Sequence, residues 1–192
     1  DKTGTLTQNR MTVTRCYTNG RVCDTDALKE SEDRDFIYGF MLCNDASLQD
    51  GTRMGDPTEL ALLDMGAAFG IVRERLEQQM PRVDEIAFDS GRKMMSTLHQ
   101  EGAKKLSYTK GSPDEILERC SYIRIDGKDL PMSQAHREKI QNTLKEFTGD
   151  ALRVLALGMR TGVTQLKENE LIFLGMAGMA DPVRPEAGKA VE

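Results

Sequence analysis

The stretch from Lys93 to Thr109 limits the possible folds most sharply. Two strand-like runs, Lys93 to His99 and Lys104 to Thr109, are joined by Gln100-Glu101-Gly102-Ala103, a turn-like segment whose glycine can take positive φ. A connection this short brings the chain back alongside itself, so the two runs read as an antiparallel hairpin. Other strand-like runs lie at Met11 to Tyr17, Arg82 to Phe88, Ser121 to Ile125, Arg153 to Met159 and Ile172 to Met179. Helical patterns occupy the gaps, and the expected fold class is α+β: an antiparallel or mixed sheet flanked by helices.

Two helix starts are sharply marked. Asp56-Pro57-Thr58-Glu59 precedes Leu60-Ala61-Leu62-Leu63, and Ser112-Pro113-Asp114-Glu115 precedes Ile116-Leu117. Each puts a capping side chain at N-cap, proline at N1 and glutamate at N3. Apolar residues at helical spacing predict a further helix from Ser133 towards Phe147 and another from about Glu32 to Ala46.

With 192 residues, no internal repeat and no long Pro/Gly/Ser linker, a single continuous domain with a substantial core is expected. Charged residues make up 30% of the chain and the net charge is −5, so nothing advertises nucleic acid or anionic lipid as a partner. The scattered Cys16, Cys23, Cys43 and Cys120 have neither Cys-x-x-Cys spacing nor histidines at zinc-ligand spacing, which fits a reducing cytosol. The longest apolar stretches, Ala61 to Val72 and Leu171 to Ala180, are too short or interrupted to cross a hydrocarbon layer of about 30 Å. The chain opens at Asp1 without methionine and stops at Glu192 in a helical pattern, as a segment cut from a longer protein would.

The chemistry concentrates in a few motifs. Asp1-Lys2-Thr3-Gly4-Thr5-Leu6-Thr7 combines a carboxylate, a cation, hydroxyls and a loop-permitting glycine. That set suits phosphoryl transfer: an aspartate can attack a γ-phosphate to form an acyl phosphate while lysine and backbone donors stabilise the moving charge. The plainer reading is a polar coil at a frayed terminus. No Walker A or GxGxxG glycine loop is present.

The seven-residue opening resembles the phosphorylation motif of P-type ATPases, and the likeness runs along the whole chain in the family's order, towards its calcium-pump-like branch. Gly55-Asp56-Pro57-Thr58-Glu59 resembles the helix-opening motif whose glutamate contacts adenine. Phe88 with Arg92-Lys93-Met94-Met95-Ser96 resembles the segment whose phenylalanine stacks on adenine and whose lysine lies near the nucleotide. Lys110-Gly111-Ser112-Pro113 resembles the motif at the bottom of the ATP pocket. Arg153-Val154-Leu155-Ala156 resembles the strand whose arginine reaches the phosphates and whose leucine packs by the base. Gly178 to Pro185, containing Asp181-Pro182, resembles the hinge back to the phosphorylation domain. An aromatic face, a few polar groups for the base edge and cations for the phosphates are what ATP requires, and Phe88, Glu59, Lys93, Lys110 and Arg153 supply them. Each also has a structural explanation: Glu59 as part of a capping box, Phe88 as core, the basic residues as solvated strand positions, and Asp181-Pro182 as an ordinary turn.

The resemblance implies residues 1–10 as a remnant of the phosphorylation domain, 11–178 as the nucleotide-binding domain, and 179–192 as the hinge and start of the returning phosphorylation domain. It implies ATP and magnesium as ligands, with Asp1 and Thr3 at the metal in the intact protein. The implied partners are the phosphorylation, actuator and transmembrane domains of the same chain, at the cytosolic face of a membrane. The composition fits a monomer. The segment is expected to bind nucleotide without turnover, because further aspartate motifs and membrane helices of the family are absent from it. Calcium is the implied ion, with sodium, manganese and magnesium as alternatives. One departure stands out: the arginine that calcium pumps carry two residues after the phenylalanine is Ser90 here, with Arg92 and Lys93 as possible replacements. Two rival readings stay open. A soluble haloacid-dehalogenase-type phosphatase would usually place a second aspartate where Thr3 stands; a non-catalytic ATP-sensing module would have no need of the Asp1 motif.

Overall fold

The computed structural model describes residues 10–181, and all seven strand-like runs are strands of one sheet. In chain order the elements are β1 (Thr12–Thr18), β2 (Arg21–Asp24), α1 (Arg34–Leu42), α2 (Pro57–Ala67), α3 (Arg73–Gln79), β3 (Arg82–Asp89), β4 (Met94–Glu101), β5 (Lys104–Gly111), α4 (Pro113–Glu118), β6 (Cys120–Ile125), β7 (Lys128–Pro131), α5 (Gln134–Gly149), β8 (Leu152–Thr161) and β9 (Leu171–Ala180). The main path of the sheet is β2-β1-β9-β8-β5-β4-β3, antiparallel throughout. The mixed character comes from β6, which pairs in parallel with β9 and antiparallel with β7.

The expected β4–β5 hairpin is present, with Glu101 opposite Lys104 and Gly102 at φ +61°. Sequence reading overlooked β2 and β7. Each is the second arm of a hairpin whose turn, Asn19-Gly20 or Asp126-Gly127, has both residues at positive φ, the geometry that matches strand twist. The helix expected from Glu32 to Ala46 is shorter, because Asn44 ends it. The Asn44 amide donates to Phe40 O (3.1 Å) and to Glu59 O (2.9 Å), and its side-chain oxygen accepts from Ala46 N (2.9 Å). Ser112 provides no side-chain cap to α4: its amide extends the ladder to Lys93 O, and Pro113 at N1 has no amide to satisfy.

The sheet is covered on both faces. Phe36, Ile37 and Phe40 of α1 and Leu62 and Leu63 of α2 pack with Tyr108, Leu157 and Leu174 of the strands. Ile116 and Leu117 of α4 and Ile140 of α5 pack with Met94, Ala156, Phe173 and Met176 on the other side. Double burial explains why Leu171 to Met179 is buried at every position and shows no alternation. Leu157 faces Gly175 while Gly158 faces Phe173, so Leu174 is an extra residue in β9. At this bulge the outer edge of β9 changes partner, from β6 along Leu171 to Phe173 to β1 along Gly175 to Ala180. A Cβ on Gly175 would sit 2.0 Å from Tyr17 O and 2.8 Å from the Phe36 ring.

His99 is fully buried in β4. Its Nδ1 donates to Met80 O (3.0 Å), which leaves Nε2 to accept from the Thr97 hydroxyl (2.8 Å). Burial holds the imidazole neutral and lowers its pKa from 6.5 to about 4.

Two outcomes follow. Gly175→Ala is expected to cost about 2–3 kcal/mol in chemical denaturation, since its clash is with backbone that cannot move aside. For His99, the unfolded chain binds the proton from pH 6.5 downwards and the folded chain only below about 4. Its contribution is therefore intact above pH 6.5 and lost as pH falls to about 4, by roughly 3 kcal/mol in total. Measured against pH, the stability difference between wild type and His99→Asn should narrow by that amount across this window.

Candidate functional site

The first turn of α2 begins the site. Asp56 caps the helix: its Oδ1 accepts from Thr58 N (2.8 Å) and from the Thr58 hydroxyl, and Pro57 occupies N1. Burial raises the Asp56 pKa, but the Thr58 hydroxyl, the amides of Thr58 and Glu59, and the Arg153 charge outweigh it and hold the carboxyl below its ordinary range. With the cap supplied by Asp56, the Glu59 carboxylate turns inward. Its Oε2 accepts from Lys110 Nζ at 2.6 Å and from Asp45 N at 3.2 Å. The Lys110 side chain is only 5% exposed, so the ammonium is desolvated and its charge is met by Glu59.

Lys110 lies near the end of β5, opposite Met95 of β4. Its neighbour Gly111 is packed so tightly that a Cβ would lie 2.2 Å from Lys93 O. On the far side, Arg153 and Leu155 are two residues apart on β8 and therefore face the same way. Phe88, 61% exposed near the end of β3, completes the rim. Together these residues enclose a cavity of about 380 Å³, with Asp45, Asp56, Glu59, Lys110 and Arg153 as its charged lining and Phe88, Met95 and Leu155 as its apolar lining.

Six of the seven residues singled out for nucleotide contact, Glu59, Phe88, Lys110, Gly111, Arg153 and Leu155, thus meet in one cavity although they span nearly a hundred positions of sequence. Lys93 is not among the lining residues: it is exposed, at φ +60°, in the turn between β3 and β4. Arg92 does not replace the missing arginine as a lining residue either. Its guanidinium is bound to Glu168, Ala87 O and Met94 O. Asp181 follows β9 directly and lines a neighbouring cavity with Met11 and Arg153. Asp1, Lys2, Thr3 and Pro182 lie outside the described residues.

Sequence reading passed over Asp45, placed Asp56 only as a helix cap, and gave no role in the site to Met95, Asp56 or Thr58. The Asp56 and Thr58 signal was the capping pattern itself; Met95 follows from alternation with buried Met94 on β4, and nothing local marks Asp45. Chemically, the cavity suits a flat, partly apolar ligand with hydrogen-bonding edges and an anionic extension towards Arg153. Among the described residues no group of three His, Cys, Asp or Glu side chains could hold a metal ion, and no helix is long and apolar enough to cross a membrane.

Residues 33–186 match the family model for the P-type ATPase cytoplasmic domain N. The whole chain aligns with calcium-transporting ATPase 1 of Bacillus cereus at 39% identity, covering 22% of that protein. It likewise aligns over its full length with the cation-transporting ATPase pma1 of Synechocystis at 36% identity, covering 24% of it. Calcium-transporting ATPase 1 of Schizosaccharomyces pombe is 31% identical, again over all of this chain and 23% of its own length. The chain therefore spans under a quarter of the length of these relatives, and it belongs to the P-type ATPase cytoplasmic N-domain family.

Proposed function

We propose that this chain is the ATP-binding part of a cation pump, holding adenine between Phe88, Met95 and Leu155 with Glu59 at the edge of the base, and directing the phosphates towards Arg153. The observation that carries the reading is the convergence of Glu59, Phe88, Lys110, Gly111, Arg153 and Leu155 on one cavity with an apolar wall and a charged floor. Residues 11–178 would be the nucleotide-binding domain. In support, β1 and β9 are adjacent and antiparallel, with Thr12 opposite Ala180, so the segments on either side of the domain leave through neighbouring strands. Such a pair of strands can act as a hinge at Asp181-Pro182.

In the whole protein, hinge closure would bring the γ-phosphate to Asp1. A carboxylate oxygen would form a bond to phosphorus as the bond to the ADP oxygen breaks, and water would later cleave the aspartyl phosphate. Lys2 and backbone amides would stabilise the charge of the transferring group. The carboxylates of the described cavity are occupied, Asp45 by Arg82, Asp56 by the helix cap and Glu59 by Lys110, so magnesium would be held by the phosphates together with Asp1 and Thr3. When bound it would neutralise phosphate charge. Calcium is the transported ion favoured here, because relatives named as calcium-transporting ATPases align along the entire chain.

Calorimetric titration of the 192-residue chain should show saturable binding of both AMP and ATP. Phe88→Ala is expected to weaken binding about tenfold through the loss of a stacking contact, and Lys110→Ala by about as much because it releases Glu59 and the helix turn that the ion pair holds in place; no binding, or binding indifferent to both changes, would overturn the assignment. Turnover is a separate matter. The chain alone should hydrolyse Mg-ATP no faster than its Asp1→Asn variant, and sustained phosphate release above that control would show that it is catalytically self-sufficient.

A further inference from the structure

We propose that Glu168, which is not among the residues lining the cavity, is a positioning residue for Phe88, acting through Arg92. The proposal rests on the reading of the cavity as an adenine site. It starts from the register of β3 and β4. Ile86 pairs with Ser96 and Asp89 with Met94, so Ala87 and Phe88 together stand opposite the single residue Met95. That is a bulge, the device by which a strand re-aims one side chain, and here the re-aimed residue is the aromatic wall of the cavity.

A bulge leaves ladder groups without strand partners. The Ala87 carbonyl is met by Arg92, whose Nη2 donates to it at 3.1 Å and also to Met94 O at 3.0 Å, bridging the two strands across the bulge. A guanidinium holds two carbonyls in this way only if its plane is fixed, and Glu168 fixes it. Arg92 Nε donates to Glu168 Oε1 at 2.8 Å. Glu168 is in turn immobilised: its side chain is 8% exposed, its Oε2 accepts from Ser96 Oγ at 2.6 Å, and its backbone carbonyl accepts from Arg119 at 3.1 Å. Ser96 Oγ is itself 2.8 Å from Thr109 Oγ1. The connection between β8 and β9 thus reaches under the sheet to brace the turn that presents Phe88.

The test uses Glu168→Gln, Phe88→Ala and the double variant in the 192-residue chain, with AMP as probe and with the NMR rotamer distribution of the Phe88 side chain in the nucleotide-free chain. Glu168→Gln should broaden that rotamer distribution and raise the AMP Kd about fivefold, the scale of a lost preorganised aromatic contact. In the Phe88→Ala background the same substitution should change Kd less than twofold. Should Glu168→Gln fail to fold, Arg92→Lys replaces it, since lysine keeps the charge but lacks the planar fork that reaches the carboxylate through Nε and both carbonyls through Nη2. An unchanged Phe88 rotamer distribution, or a Kd penalty that persists without Phe88, would overturn the proposal. If wild type does not bind AMP yet the Phe88 rotamer distribution still depends on Glu168, the adenine reading fails while the positioning role stands.

Discussion

The ion pair between Lys110 and Glu59 holds the site in its present form. An ammonium that is 5% exposed has given up its water, and removing its carboxylate partner would leave a buried charge at a cost of about 3 kcal/mol or more. The pair joins the first turn of α2 to β5. Helix α2 therefore cannot slide along the sheet without separating the charges. The cap at Asp56 is part of the same arrangement: it satisfies the amide of Thr58 and leaves the neighbouring glutamate free to turn inward.

The segment between α1 and α2 is organised around the same point. The Asn44 amide binds the carbonyls of Phe40 and Glu59, fixing the end of one helix to the start of the next. Arg82 reaches from β3 to Leu42 O (3.0 Å), Asn44 O (3.1 Å) and the Asp45 carboxylate (3.0 Å). Arg73 of α3 adds bonds to Asn44 O and Ala46 O. Two arginines and one asparagine thus satisfy the carbonyls of a loop that would otherwise bury them unpaired, and Asp45 N is left pointing at Glu59.

Much of this was legible in the sequence, and the gaps have physical causes. Strands with long apolar or β-branched runs announced themselves; β2 and β7 are four-residue polar edges, and their signal was in the Asn-Gly and Asp-Gly turns before them. The parallel pairing of β6 with β9 depends on a bulge at Leu174 and on the close approach at Gly175, which no local pattern encodes. For the site, residue types with an obvious task were findable. Asp45 was not, because its loop is placed by bonds from the distant Arg73 and Arg82, the latter 37 positions away, and Glu168 was not, because its action on the cavity runs through Arg92 and a strand irregularity.

The cavity divides into a settled floor and an unsettled rim. On the floor, Lys110 and Glu59 compensate one another, and Asp56 is committed to its helix. A ligand meeting these groups exchanges existing bonds for new ones, and such exchanges yield little net free energy. On the rim, Phe88 is 61% exposed and keeps apolar surface in water until something flat covers it. Covering that ring releases hydration that no internal contact has already removed, so the larger share of the binding free energy available here lies with the aromatic wall. A bulge that holds Phe88 in place before a ligand arrives converts that surface into affinity by removing the ordering cost at the moment of binding. On the nucleotide-binding reading proposed above, the anionic end of the ligand would lie where fewer contacts hold it, towards exposed Arg153 and away from the buried pair. That arrangement suits a carrier that must grip the base and surrender the phosphate.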